Sequence, residues 1–348
     1  MEREKIGVQR SIWPLLLLVT ATVAASGQEA QVGLLNHSAI TVNQRTHTVY
    51  AVDESHNILE VISPSGAMQH IPVGAGPVAV AVNGQTGRVY VACDGPRAVW
   101  VLNAQGDVIA KVPTAARPYG IAVDEAEDKV YVSNTFSAML TVIDGAGNTA
   151  RNVKTGSADV LLVDAAAHRV YLEGYESDTL TVLDSVTGTI TKLPTGKKHQ
   201  WGMAMSDGIL YVPHPQDDSV GLMDEETGTA HEVRTGAWPC AVAADTKQGT
   251  VWVTNYVDGT VTAIKHGQAT ATVRVGAKPE AVAVDELAGR VYVANEGDNT
   301  VSVIDAVTHH VLATRAAGEH PYALAVESAS HRVYAANAGG GATLIAAH

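Results

Sequence analysis

The residues of this chain best suited to chemistry gather in eight short segments of one kind. They are Asn36-His37-Ser38, Gly76-Pro77-Val78, Arg117-Pro118-Tyr119, Ser157-Ala158-Asp159, His199-Gln200-Trp201, Trp238-Pro239-Cys240, Lys278-Pro279-Glu280 and His320-Pro321-Tyr322. Proline recurs at the centre while its neighbours vary. Tyr119, Trp201, Trp238 and Tyr322 offer broad apolar contact with a polar handle, as binding surfaces do. Arg117, His199, Lys278, Glu280 and His320 add charge and hydrogen bonding, and Cys240 adds a thiol. Imidazole and thiolate are also ligands for copper or zinc, and His37 and His214 stand nearby, so a metal ion is a secondary expectation. These groups come from separate segments with no ligand spacing of their own, and no other cofactor is expected. The sequence contains no Cys-x-x-Cys-His, Gly-x-Ser-x-Gly or His-Glu-x-x-His motif and no phosphate-cradling glycine loop.

What positions these segments is an internal repeat. Tyr50, Tyr90, Tyr131, Tyr171, Tyr211, Trp252, Tyr292 and Tyr334 recur at a nearly constant interval, within strings such as RVYVAC, KVYVSN and RVYVAN. A sustained period of about 40 residues marks a solenoid or propeller. Each unit holds four short apolar runs, as at 281–285, 290–295, 300–305 and 310–315, separated by turn residues. Four strands per unit make a propeller blade. The expected fold is therefore all-β, a propeller of eight four-stranded antiparallel blades. The Asp-x-x-Thr-Gly turns at 184–188 and 224–228 fit the hairpin between third and fourth strands, and their aspartates read as structural. The last unit lacks a fourth strand, and residues 29–32 are placed to supply it and close the ring. The run Gly339, Gly340, Gly341 reads as a flexible turn.

Trp252-Val253-Thr254-Asn255, Tyr292-Val293-Ala294-Asn295 and the recurring Pro-x-x-Val-Ala-Val-Asp and Thr-Val-x-Val-Ile-Asp runs resemble the YVTN β-propeller repeat of bacterial and archaeal surface and periplasmic proteins. The resemblance covers nearly the whole chain from Gln28 onward. It implies the propeller fold and spans scaffolds, adhesive modules, lactonases and relatives of quinoprotein dehydrogenase subunits. Such propellers are commonly seven-bladed, whereas the spacing here requires eight.

In a propeller the first strand of each blade lines the central channel. The loop leading into it shares one face with the loop between the second and third strands, and ligands bind where such loops converge. Among 5 Trp, 11 Tyr and 1 Phe, setting aside Trp13, Trp100 and the eight landmarks leaves Tyr119, Phe136, Tyr175, Trp201, Trp238, Tyr256 and Tyr322. All seven fall in those two loop sets. The expectation is a ligand- or protein-binding scaffold whose channel mouth takes a small molecule, glycan or protein. The alternative is a propeller enzyme at the same mouth, either a metal-assisted lactonase or lyase with Glu280 or a histidine as base, or a redox or metal-binding protein.

Composition narrows the setting. The 36 acidic residues outnumber 23 Lys and Arg, for a net charge of −13, which argues against nucleic acid. The basic N-terminus, the apolar stretch over 12–25 and the small residues that follow have the layout of a secretory signal peptide, expected over 1–27. That apolar run is shorter than the roughly 20 residues of a membrane span. Residues 28–348 are then a single extracytoplasmic propeller domain, periplasmic, secreted or on the cell surface, with no transmembrane segment. Of its two cysteines, Cys93 belongs to the second blade and Cys240 to the sixth, opposite one another, so they are expected as buried free thiols.

Overall fold

The structure is a computed structural model that describes residues 37–174, 177–198, 202–224 and 227–345. Valine, threonine, isoleucine and tyrosine, bulky at Cβ and suited to a pleated surface, fill its strands. The described strands form eight antiparallel sheets, seven of four strands and one of three, each in simple sequence order. Blade 1 runs from Ile40–Asn43 to Met68–Pro72, blade 2 from Pro77–Val82 to Val108–Pro113, blade 3 from Arg117–Asp124 to Thr149–Lys154 and blade 4 from Val160–Asp164 to Ile190–Pro194. Blade 5 spans Ala204–Ser206 to Thr229–Arg234, blade 6 Pro239–Asp245 to Gln268–Arg274 and blade 7 Pro279–Asp285 to Val311–Ala316. Blade 8 contains Pro321–Glu327, Arg332–Asn337 and Ala342–Ile345. The eight blades form a ring, as the repeat spacing predicts. The closing strand expected at 29–32 and the signal peptide expected over 1–27 lie outside the described residues. Among the described residues, no helix is long and apolar enough to cross a membrane.

Burial follows strand position. The second strand of blade 6, Thr250–Asn255, is buried at every residue, whereas the outermost strand of blade 7, Val311–Ala316, is exposed at all but one. Inner strands are covered on both faces by neighbouring blades, so they read as continuous apolar runs, while the outermost strands face water. Each landmark aromatic lies in a cluster shared between adjacent blades. Tyr90 packs with Val130 and Ile143 of blade 3, Tyr171 with Leu210 and Val212 of blade 5, and Tyr292 with Val333 and Ile345 of blade 8. Tyr334 of blade 8 joins Val49 and Tyr50 of blade 1, which completes the circuit.

The polar letters of the repeat have equally local roles. The Asn255 amide donates to Thr260 Oγ1 and Thr262 Oγ1, each at 2.9 Å, and Asn295 repeats the arrangement with Thr300 and Ser302 at 3.0 and 2.9 Å. This asparagine stitches the second strand to the third. Asp184 Oδ1 accepts the amides of Val186 and Thr187, and Asp224 Oδ1 accepts that of Thr227, which are the Asx turns expected of these residues.

The seam between the last and first blades is densely hydrogen-bonded. Gln44 Nε2 donates to Val326 O at 2.7 Å, Arg332 to Pro64 O at 2.7 Å, and the Ala342 amide to Glu60 Oε2 at 2.7 Å. His47 Nδ1 meets Glu327 Oε1 at 2.8 Å. The three glycines preceding Ala342 do more than allow flexibility. Gly340 and Gly341 have φ of +96° and +74°, and a Cβ on either would come within 3.0 Å of the Asp53 or Glu60 carboxylate.

Two outcomes follow. Tyr292 is 1% exposed, so Tyr292→Ala opens a cavity between blades 7 and 8 that costs about 3–5 kcal/mol, measured as a loss in chemical denaturation. Burial alone would raise the Glu327 carboxyl, but hydrogen bonds from Ser330, the Ala329 amide and His47 outweigh it and hold the group below its ordinary value. A depressed carboxylate stabilises the fold above its unfolded pKa, and that contribution fades as pH falls through the folded value. Glu327→Gln therefore lowers Tm at pH 7, and its difference from the parent shrinks below about pH 4.

Candidate functional site at the channel mouth

Four of the five lead-in loops that carry the recurring proline share an unusual backbone, Arg117 before Pro118 being the exception. The residue before the recurring proline adopts a left-handed conformation at Gly76, Trp238, Lys278 and His320, with φ of +61°, +60°, +52° and +51°. Glycine takes this conformation freely, whereas side chains with a Cβ are strained in it. Side chains of the neighbouring turns hold these loops in place. Asn57 Oδ1 accepts the Gly76 amide at 2.8 Å, Asp218 Oδ1 that of Trp238 at 3.0 Å and Asn299 Oδ1 that of His320 at 2.8 Å. Asp258 and Asp298 likewise accept the amides of Ala237 and Ala277 at 2.7 and 2.6 Å.

The structure distributes the sequence-predicted residues unevenly. Half-exposed Arg117 forms a two-pronged ion pair with Asp94, its Nε 2.8 Å from Oδ1, and Asp94 in turn acts on Glu54. Burial foremost, reinforced by Asp94, raises the Glu54 carboxyl. Tyr119 belongs to the first strand of blade 3 and is buried. Its phenol is raised chiefly by that burial, and also by the charges of Asp159 and Glu280 and by Tyr322. The half-buried Tyr322 packs against the cluster at the seam and is raised first by burial and then by Glu54 and Asp53. Residues from blades 1, 3, 4, 7 and 8 are thus electrostatically coupled across the mouth. His199 and Trp201 lie outside the described residues.

A second group forms on blades 6 to 8. Tyr256 donates its hydroxyl to Glu296 Oε2 at 2.7 Å, and its ring carries Lys278 Nζ 5.7 Å from the centroid. His320 Nδ1 stands 3.5 Å from the other oxygen of Glu296. Glu280 is half-buried, and its charge reaches both Tyr256 and Cys240. Trp238 is half-buried at the head of blade 6. Cys240 is 3% exposed, with Sγ 3.2 Å from Thr254 Oγ1 and 3.4 Å from the Pro279 carbonyl. Its thiol is therefore packed against blade 7. Among the described residues no group of three His, Cys, Asp or Glu side chains could hold a metal ion.

Sequence reasoning passed over Glu54, Asp94 and Glu173. Glu173 is 1% exposed, and burial, with Asp159 next, holds its carboxyl well above the ordinary range, which favours the neutral acid. A signal was available. Glu173 stands at the repeat position occupied by Val52, Ala92, Ser133, Pro213, Thr254, Ala294 and Ala336, so a carboxyl there departs from small, uncharged neighbours.

No family model and no curated protein matches the sequence. Several solved structures resemble the fold. The hydrazine synthase of Kuenenia stuttgartiensis superposes with a TM-score of 0.62 at 14% identity, over 92% of this chain and 99% of that one. A streptogramin B lyase gives 0.58 at 14% identity, over 90% and 95%. The dihydro-heme d1 dehydrogenase NirN gives 0.69 at 12% identity, over 82% and 67%. At these identities the likeness is one of propeller fold.

The two cysteines give a direct check on packing at the site. Burial pushes the Cys93 thiol up to about 12 and the Cys240 thiol well above its usual value, with Glu280 adding to the latter. Alkylation responds to the thiolate, so iodoacetamide at pH 8 should leave the folded protein unmodified by mass and label both sites after denaturation. Rapid native labelling of Cys240 would place its thiol at the surface instead.

Proposed function

We propose that this protein is an extracytoplasmic, YVTN-type propeller that binds a ligand or partner at the mouth of its channel through side chains of the lead-in loops. The layout of residues 1–27 supports export. The observation that carries the binding reading is the left-handed backbone at Trp238, Lys278 and His320, where blade 2 has Gly76. A left-handed L-residue costs on the order of 1 kcal/mol or more. Turn residues elsewhere in the ring, such as His47, His168 and His331, take the same conformation, so the weight rests on the comparison with glycine at the equivalent position of blade 2. Glycine would serve the turn at all three positions, so tryptophan, lysine and histidine serve something other than the turn. The amides latched by Asp218 and Asn299 support the same reading, because a rigid loop loses less entropy when it binds.

Replacing the three strained residues by glycine separates stability from binding. The variant Trp238→Gly/Lys278→Gly/His320→Gly is expected to keep or raise the parent Tm while losing the ligands that the parent selects from a glycan array and a small-molecule thermal-shift library. A large fall in Tm, together with no ligand for the parent, would mark these side chains as structural caps.

A further inference from the structure

A groove of about 490 Å³ opens between blades 6 and 7, lined by Tyr256, Asp258, Arg274, Lys278, Asp298 and the intervening loop backbone. Four elements converge on it: the end of the outermost strand of blade 6 at Arg274, the following loop at Lys278, and the turns after the second strands of blades 6 and 7. Its volume suits a small organic molecule better than a lone inorganic ion.

The groove's charges are unequally occupied. Asp258 and Asp298 already accept loop amides. Arg274 and Lys278, by contrast, have no carboxylate within 4.0 Å among the described residues. Elsewhere on the chain Arg88, Arg117, Lys129, Lys197 and Arg290 pair with Asp or Glu, whereas Arg97, Lys154 and Arg234 form no ion pair among the described residues. What sets Arg274 and Lys278 apart is that both line one groove. Lys278 is also positioned: the Tyr256 hydroxyl is fixed on Glu296, and the ring face carries the ammonium group at 5.7 Å. Two cations with no carboxylate in ion-pair contact line one groove, whose two aspartates are turned to the amides of Ala237 and Ala277, and this leaves a place for an oxyanion.

We propose that this groove binds a small organic anion, a carboxylate or phosphomonoester, with its oxyanion group held by Arg274 and Lys278. Arg274 would supply a planar fork of donors and Lys278 a point charge fixed on Tyr256. This anion site rests on the reading of the same face as a binding surface and supplies a ligand chemistry for it.

Calorimetric titration of the purified protein at low ionic strength, with succinate and glycerol 3-phosphate as anions and putrescine as a cationic control, tests the site. At least one anion should bind saturably and weaken with added salt. Arg274→Gln should reduce its affinity on the order of tenfold or more. Arg234→Gln, the equivalent arginine one blade earlier, should leave it unchanged, with Tm reporting that both variants fold. Whichever anion binds tells carboxylate from phosphate. Saturation by neither anion, parental affinity in Arg274→Gln, or binding of putrescine instead would overturn the proposal. If anion binding fails while ligands sensitive to the triple glycine replacement persist, only the anion site falls; if both are absent, the binding reading falls with it.

Discussion

The whole molecule depends on the burial of one aromatic ring per blade against the next blade. An isolated four-stranded sheet with two apolar faces cannot remain in water, and here each blade meets that requirement only by lending its landmark ring to a neighbour. Tyr90 serves blades 2 and 3, Tyr171 blades 4 and 5, and Tyr292 blades 7 and 8. Each neighbour imposes the same demand, so the chain of dependencies is satisfied only when it returns to its start. Tyr334 beside Tyr50 is where it does so. That junction joins the last blade of the chain to the first, and it carries polar clamps from Glu60 and Glu327 in addition to apolar packing.

A ring braced in this way can support strain at its rim. The strands that follow these lead-in loops mix buried and half-buried residues and pair with the second strands apart from an irregularity just after the proline, and turn side chains accept the loop amides. Left-handed conformations at Trp238, Lys278 and His320 persist because the surrounding bonds over-determine them. The side chains at these equivalent positions differ from blade to blade. Uniform blades with varied rims are the arrangement in which recognition changes without cost to the fold.

The mouth is electrostatically uneven. On one side Arg117, Asp94 and Glu54 form a compact charged group; on the other Glu296 receives the Tyr256 hydroxyl and lies beside His320. Between them, Tyr119 and Tyr322 are held neutral by burial and by nearby carboxylates. The protonated phenols can donate hydrogen bonds over the whole physiological pH range.

Blade number, strand order and the rings at blade junctions were legible in the sequence, because each depends on a spacing that repeats eight times. Repetition makes local chemistry visible: an aromatic landmark in every unit, an asparagine closing many of the second strands, a proline at most lead-ins. The structural aspartates of the Thr-Gly turns were legible for the same reason. The lead-in positions stood out as the variable ones, but not what each side chain does there. Cys240 turns into the contact with blade 7, Arg117 is taken up by Asp94, and Tyr119 is buried within a strand. The first two depend on partners from the adjacent blade, whose proximity arises only when neighbouring blades stack. So do the left-handed backbone at Trp238 and the packing of Gly340 and Gly341 against Asp53 and Glu60. Periodicity along the chain determined the blades, whereas which charges meet across the mouth was decided by closure, because residues distant in sequence interact only after the eight blades have been brought around one axis.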